Sequence, residues 1–194
     1  MKQNRIPIIL AILLVGILGA AALLYSYLSR QSDSSSAAPD LDLPDPIPAV
    51  DFQLEDSQGV PQSFLELLDG RPAVLNFWAS TCGPCRQEMP FFQQVYDAYG
   101  KEIQFLMVNV MDAMGDTKEA AQAYLAEEGF TFPIYYDVQL DGVMSYGLQG
   151  FPTTFLLNED GELVLGYSGM MLDDTLQFYL HAVFPDLVEA PATT

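Results

Sequence analysis

Sulfur and imidazole are scarce in this chain, with two cysteines and one histidine in 194 residues. A structural zinc site wants four ligands, so the cysteines could supply only half of one. Proteolysis by a cysteine–histidine pair would need His181, which lies far from both cysteines near the end of the chain. Cationic residues are scarce too, at seven Lys and Arg against 26 Asp and Glu. Only four of the seven follow Arg30, whereas all 26 acids do, which leaves the chain beyond it with a net charge of −22. Such a surface repels nucleic acid and anionic headgroups, so no nucleic-acid partner is expected. It would attract basic partners, but keeping the protein soluble is the plainer role. No cysteine lies near the apolar N-terminal run, which excludes lipid attachment to an N-terminal cysteine. No internal repeat is visible.

The two cysteines that are present stand together, as Cys82-Gly83-Pro84-Cys85, after the apolar run Ala73-Val74-Leu75-Asn76-Phe77-Trp78. The pattern predicts a strand leading into a helix whose first turn holds the motif. A helix N-terminus has unpaired N–H groups and a partial positive charge, both of which favour a thiolate. Pro84 suits a first turn, where no proline N–H is needed. A plain stabilising disulfide is the blander alternative. It is disfavoured because the entropic benefit of a disulfide grows with the loop it closes, and this loop is very short. A redox dithiol is the better reading.

Ile6 to Ser29 carries no charge and is mostly Ile, Leu, Val and Ala. As a helix it would extend ~36 Å, enough to cross the hydrocarbon core of a bilayer. Lys2 and Arg5 precede it, which predicts a cytoplasmic N-terminus and an extracytoplasmic remainder. Tyr25 and Tyr27 would lie at the outer interface. A cleaved signal peptide, with Gly19-Ala20-Ala21-Ala22 as its small-residue site, is the alternative, but the apolar stretch is long for one. The Ser-, Asp-, Ala- and Pro-rich stretch that follows cannot bury a core and reads as a tether reaching up to ~60 Å. The expected organisation is therefore 1–5 cytoplasmic, 6–29 membrane anchor, 30–48 linker, 49–185 a single domain, and 186–194 a tail.

Periodicity within the domain predicts a small hairpin around Phe52-Gln53-Leu54 and Asp56-Ser57-Gln58-Gly59, followed by the buried strand Ala73 to Trp78. A helix from near Cys85 to Gly100 puts Met89, Phe92, Val95, Tyr96 and Tyr99 on one face, with Pro90 interrupting and kinking it. A second buried strand spans Ile103 to Val110. Asp116-Thr117-Lys118-Glu119 reads as a capping box for a helix ending at Gly129. Strand Pro133 to Tyr136, a short helix Val138 to Tyr146, a hairpin of Thr153–Leu157 with Leu163–Tyr167, and a helix Leu172 to Phe184 complete the domain. The order implies an α/β fold with a mixed sheet covered on both faces.

Phe77-Trp78-Ala79-Ser80-Thr81-Cys82-Gly83-Pro84-Cys85-Arg86-Gln87-Glu88-Met89-Pro90 resembles the active-site segment of thioredoxin-fold proteins. Phe151-Pro152-Thr153-Thr154-Phe155 resembles their cis-proline loop. The anchor, the N-terminal hairpin and the extra helix and strand at about 111–137 look like the TlpA/ResA type, membrane-anchored extracytoplasmic thiol–disulfide oxidoreductases. The resemblance covers about residues 47 to 185. It implies that Cys82 is the exposed nucleophile and Cys85 the resolving thiol. It also implies that Pro152 is a cis-proline facing them, and that Trp78 packs beneath the motif. No cofactor is implied beyond the Cys82–Cys85 disulfide itself. Two positions depart from thioredoxin: Thr81 stands where tryptophan precedes the first cysteine, and Asn76 where an aspartate is buried. Asparagine cannot exchange protons near pH 7, so Glu88, matching an acid that ResA-like proteins carry near the dithiol, is the candidate base. The alternative is a solvated surface glutamate.

Other classes fit less well. A peroxiredoxin would want threonine three residues before its cysteine, where Ala79 stands. Copper carriers of this fold space their cysteines by three residues, and Met111, Met114, Met170 and Met171 are more simply packing. The expected function is an exported reductant of protein disulfides, such as those of apocytochrome c or an exported methionine sulfoxide reductase. Its electrons would come from a membrane thiol transporter. A disulfide-forming oxidant and a copper-delivery protein are the alternatives. The Gly83-Pro84 pair is thioredoxin's own dipeptide, and thioredoxin lies near −270 mV against ~−120 mV for the oxidant DsbA.

Overall fold

A computed structural model describes residues 43–111 and 115–191, together with residues 16, 18–21 and 24 of the N-terminal segment, which are helical. Residues 1–39 and 40–194 form separate units. Most of the expected 6–29 anchor lies outside the described residues. Among the described residues, no helix is long and apolar enough to cross a membrane.

The second unit is built on one mixed sheet of eight strands in the order β1-β8-β7-β4-β5-β6-β2-β3. Its centre is β4 (Ala73–Trp78), buried at all six positions. Alternate side chains of a strand face opposite ways, so a strand buried throughout is covered on both faces. β4 runs parallel to β5 (Gln104–Val110) and antiparallel to β7 (Thr153–Leu157), with Asn76 opposite Met107 and Thr154. β6 (Ile134–Asp137) continues the parallel half, and β8 (Glu162–Ser168) pairs with β7 as the expected hairpin. The N-terminal hairpin is β2 (Gln53–Glu55) and β3 (Pro61–Ser63). Its turn is closed by Asp56, whose Oδ1 accepts from the N–H groups of Gln58 and Val60.

Two elements had no counterpart in the sequence reading. β1 (Ile47–Pro48) pairs with Leu163 and Glu162 at one rim of the sheet. α1 (Phe64–Leu68) follows β3, with the Ser63 hydroxyl accepting from the Glu66 N–H. The packed unit also reaches beyond 49–185: Val188 is buried in the core, and its carbonyl lies 2.8 Å from Nδ1 of the buried His181.

α2 (Gly83–Tyr99) packs against α5 (Asp173–Val183). It runs through Pro90 rather than being interrupted there. Proline removes the N–H that would bond the carbonyl four residues back, at Arg86. The hydroxyl of Tyr124 donates to that carbonyl instead, at 3.3 Å. Tyr124 belongs to α3 (Lys118–Glu128), whose N-cap is Thr117, its hydroxyl accepting from the Ala120 N–H at 3.2 Å. Asp116, expected as part of the capping box, is therefore free for other work. α4 is shorter than expected, Asp141–Ser145, because Leu140 adopts a left-handed conformation (φ 59°) just before it. The core joins all these layers through large buried chains such as Trp78, Phe77, Phe92, Phe105 and Met107. Burial of each contributes roughly 1.5–3 kcal/mol.

Candidate active site

β4 ends at Trp78, and four residues later Cys82 forms the N-cap of α2. Between them the chain turns tightly, the Cys82 N–H bonding to the Ala79 carbonyl at 3.1 Å. Cys82 and Cys85 are joined as a disulfide, with Cα atoms 5.3 Å apart. The Cys85 N–H points at the Cys82 sulfur, 3.2 Å away. That is one of the unpaired donors of a helix's first turn, and it would stabilise negative charge on this sulfur once the bond is reduced.

The expectation of an exposed Cys82 needs correction. Thr81, Gly83 and Pro84 are exposed, but Cys82 itself is only 2% exposed and Cys85 fully buried. The physical reason is the loop opposite: the Phe151 carbonyl lies 3.7 Å from the Cys82 sulfur. A disulfide sulfur carries no proton, so this is a packing contact that becomes a possible hydrogen bond only in the thiol form. The Phe151–Pro152 bond is cis. The loop is fastened by Gly169, whose N–H donates to the Pro152 carbonyl at 2.9 Å, and by the Thr153 hydroxyl, which donates to the Gly150 carbonyl at 2.8 Å.

The same helix, α2, carries a buried carboxyl. Glu88 is one turn along α2 from Cys85 and fully inaccessible, not solvated. Its Oε1 accepts from Asn76 Nδ2 at 2.9 Å, and its Oε2 from the Met171 N–H at 2.8 Å. Burial pushes its pKa up to about 7, while the hydrogen bonds from Met171 and Asn76 hold it down. Asn76 also donates to Thr154 Oγ1 at 2.9 Å, and its own Oδ1 is buried without a partner. Asn76 thus links β4, the strand after Pro152 and the acid on α2. Trp78 is buried and packs against Tyr124, their ring centroids 6.1 Å apart. The Arg86 guanidinium lies over the other ring of that pair, 4.5 Å from the centroid of Tyr124.

Cys82, Cys85, Pro152 and Glu88 are therefore brought to one end of the sheet. His181 is not; it packs on the terminal helix against the backbone near Val188. Among the described residues, no three of His, Cys, Asp or Glu converge as metal ligands. One polar group at this end escaped the sequence reading. Asp116 is fully buried, and its carboxylate accepts from the Ser80 N–H and hydroxyl, each at 2.5 Å, from Asn109 Nδ2 at 2.8 Å and from the Thr117 N–H at 3.0 Å. The one available signal was redundancy: Thr117 suffices as the helix cap, so the acid before it was surplus.

Comparison with known proteins bears on this arrangement. The chain matches the family described as Redoxin over residues 43–175. It is 32% identical over 139 residues to a thiol-disulfide oxidoreductase ResA of Halalkalibacterium halodurans, covering 71% of this chain and 76% of that one. To a protein of the same name from Geobacillus kaustophilus it is 30% identical over 188 residues, covering 95% and 99%. The crystal structure of StoA from Bacillus subtilis superposes with a TM-score of 0.56 at 30% identity, covering 67% of this chain and 95% of that one.

Proposed function

The chain belongs to the Redoxin family, as a thiol–disulfide oxidoreductase of the TlpA/ResA type, and from that premise we propose that it reduces disulfides in exported proteins through Cys82 and Cys85. The Cys82 thiolate attacks one sulfur of the substrate disulfide, forming a mixed disulfide and releasing the other substrate sulfur as a thiolate. The Cys85 thiolate then attacks the Cys82 sulfur, releasing the second substrate thiolate and leaving the Cys82–Cys85 disulfide. Two electrons pass to the substrate. A thiol donor in the membrane returns them, carrying electrons from inside to this exported reductant. Apocytochrome c and an exported methionine sulfoxide reductase are substrates of the right chemistry.

One observation carries this reading: a buried carboxyl with a pKa of about 7, that of Glu88, stands one turn of α2 from Cys85. Cys85 is fully buried and must lose a proton before it can resolve the mixed disulfide. In its ionised form Glu88 is a base matched to neutral pH, and the proton it accepts can be returned when the dithiol is re-reduced. Pro152 closes the opposite wall, where the Phe151 carbonyl faces the nucleophile. The domain works outside the cytoplasm, held there by the apolar segment 6–29 and the tether after it. The Gly83-Pro84 dipeptide supports a reductant rather than an oxidant.

The test is a trap. Cys85→Ala leaves Cys82 able to attack and unable to be released, so mixed disulfides with partner proteins accumulate and can be resolved on non-reducing gels. Cys82→Ala accumulates few or none. Equal trapping by both variants would contradict the order of attack.

A further inference from the structure

We propose that Asp116 is a positioning residue for the nucleophile: it clamps the loop that presents Cys82 and sets a negative charge behind it. The inference rests on the reading of Cys82 as the attacking thiol. All four partners of the Asp116 carboxylate are donors, an arrangement it satisfies without a proton of its own. Two of the four come from Ser80, through backbone and side chain together, so both the position and the orientation of that residue are held. Asn109, at the end of β5, and Thr117, at the cap of α3, supply the others, which ties the loop to two rigid elements. Ser80 is two residues from Cys82 within a turn closed by the Cys82 N–H and the Ala79 carbonyl. Their Cα atoms are therefore at most ~7 Å apart. Displacement of Ser80 moves the sulfur against the Phe151 carbonyl and against any incoming disulfide.

The charge has a second effect. A buried carboxylate bonded to Ser80, two residues from Cys82, opposes ionisation of Cys82 and offsets part of the help from the helix N-terminus. On α2 the ionisable side chains within two turns of Cys82 are Arg86 and Glu88, with Tyr96, Asp97 and Tyr99 at its far end; on α3 Tyr124 reaches Arg86; the loop 147–152 and the turn 168–172 carry none. Arg86 is exposed and stacked on Tyr124, so the buried ionisable groups near the motif, Asp116 and Glu88, are both acids. That balance favours the thiol over the thiolate at Cys82, in the direction of a reductant rather than of an oxidant such as DsbA, whose reduced form is stabilised.

The experiment uses the full chain carrying Cys85→Ala, in which Cys82 is the only thiol. Alkylation by iodoacetamide is followed from pH 5 to 10, together with the rate of mixed-disulfide formation with a glutathionylated peptide. Asp116→Asn is expected to move the alkylation midpoint down by roughly half a pH unit or more. Ser80→Ala keeps the carboxylate, so its midpoint should match the parent's while its attack on the peptide slows by about fivefold, the worth of one hydrogen bond. A merely structural Asp116 would lower the melting temperature and move neither readout. An Asp116→Asn profile that overlays the parent's, or Ser80→Ala attacking at the parent's rate, overturns the inference. If Asp116→Asn does not fold, Ser80→Ala decides alone. Failure of the parent Cys85→Ala chain to form any mixed disulfide would instead overturn the assignment of Cys82, a distinguishable result.

Discussion

Glu88 has no cation among its hydrogen-bond partners; the groups that hold it are an amide side chain and a backbone N–H. Its pKa of about 7 in the folded protein lies above the ordinary 4.5, so the folded state keeps a proton between those limits that the unfolded chain has lost. Stability therefore falls as pH rises through that window, by on the order of 3 kcal/mol, and levels off above it. Glu88→Gln removes this contribution while retaining a group that fits. The glutamine carbonyl can accept from Met171, and a rotated Asn76, whose Oδ1 is unpartnered, can accept from the new amide. Urea midpoints at pH 5 and pH 8 should show the variant gaining on the parent as pH rises. The same variant should shift the pH dependence of thiol reactivity and slow turnover, because the base for Cys85 is gone. A gap that does not widen with pH, with unchanged rates, would return Glu88 to a packing role.

The elements differ in how openly the sequence announces them. β4, α2 and the Pro152 loop were legible because their determinants are local: an unbroken apolar run, a proline in a first turn, a Phe-Pro-Thr-Thr string. The dithiol and its proline wall were legible for the same reason. α1 was missed although Ser63 and Glu66 stand at cap spacing, since five residues give too little periodicity to read. β1 was missed because two residues, one of them proline, become a strand only through partners at 162 and 163. Asp116 was misread because its meaning depends on Ser80, 36 residues earlier. α4 shows a tighter constraint. A Cβ on Gly142 would lie 2.6 Å from Cε2 of Phe52 and 2.9 Å from Cε1 of Phe77. Phe52 stacks on Phe64 at 4.8 Å, so neither the hairpin nor the sheet can yield cheaply. Gly142→Ala should cost about 1–3 kcal/mol, read from denaturant unfolding, with the dithiol chemistry intact in the folded fraction.

Over the whole molecule, negative charge is almost uncompensated. Among the described residues the one ion pair is Lys118 with Glu55, at 3.6 Å, and Lys118 also bonds the Asp56 carbonyl and covers the ring of Tyr136. The acidity therefore acts as a field rather than as a set of bridges, one that repels an anionic lipid surface. The proposed topology predicts that the intact chain sediments with membranes and is labelled at Cys82, after reduction, by an impermeant thiol reagent. Release of a soluble form beginning near Ala22 would show the segment to be a cleaved signal. The sheet has one more property that would matter for a protein handling unfolded substrates. Its two rims are β1 and β3, only two and three residues long, and each carries a proline, Pro48 or Pro61. A rim so short and so poor in free N–H donors gives a passing strand nothing to zip onto. On the proposed function, a half-unfolded client would be held by a single sulfur–sulfur bond without the two chains nucleating an aggregate.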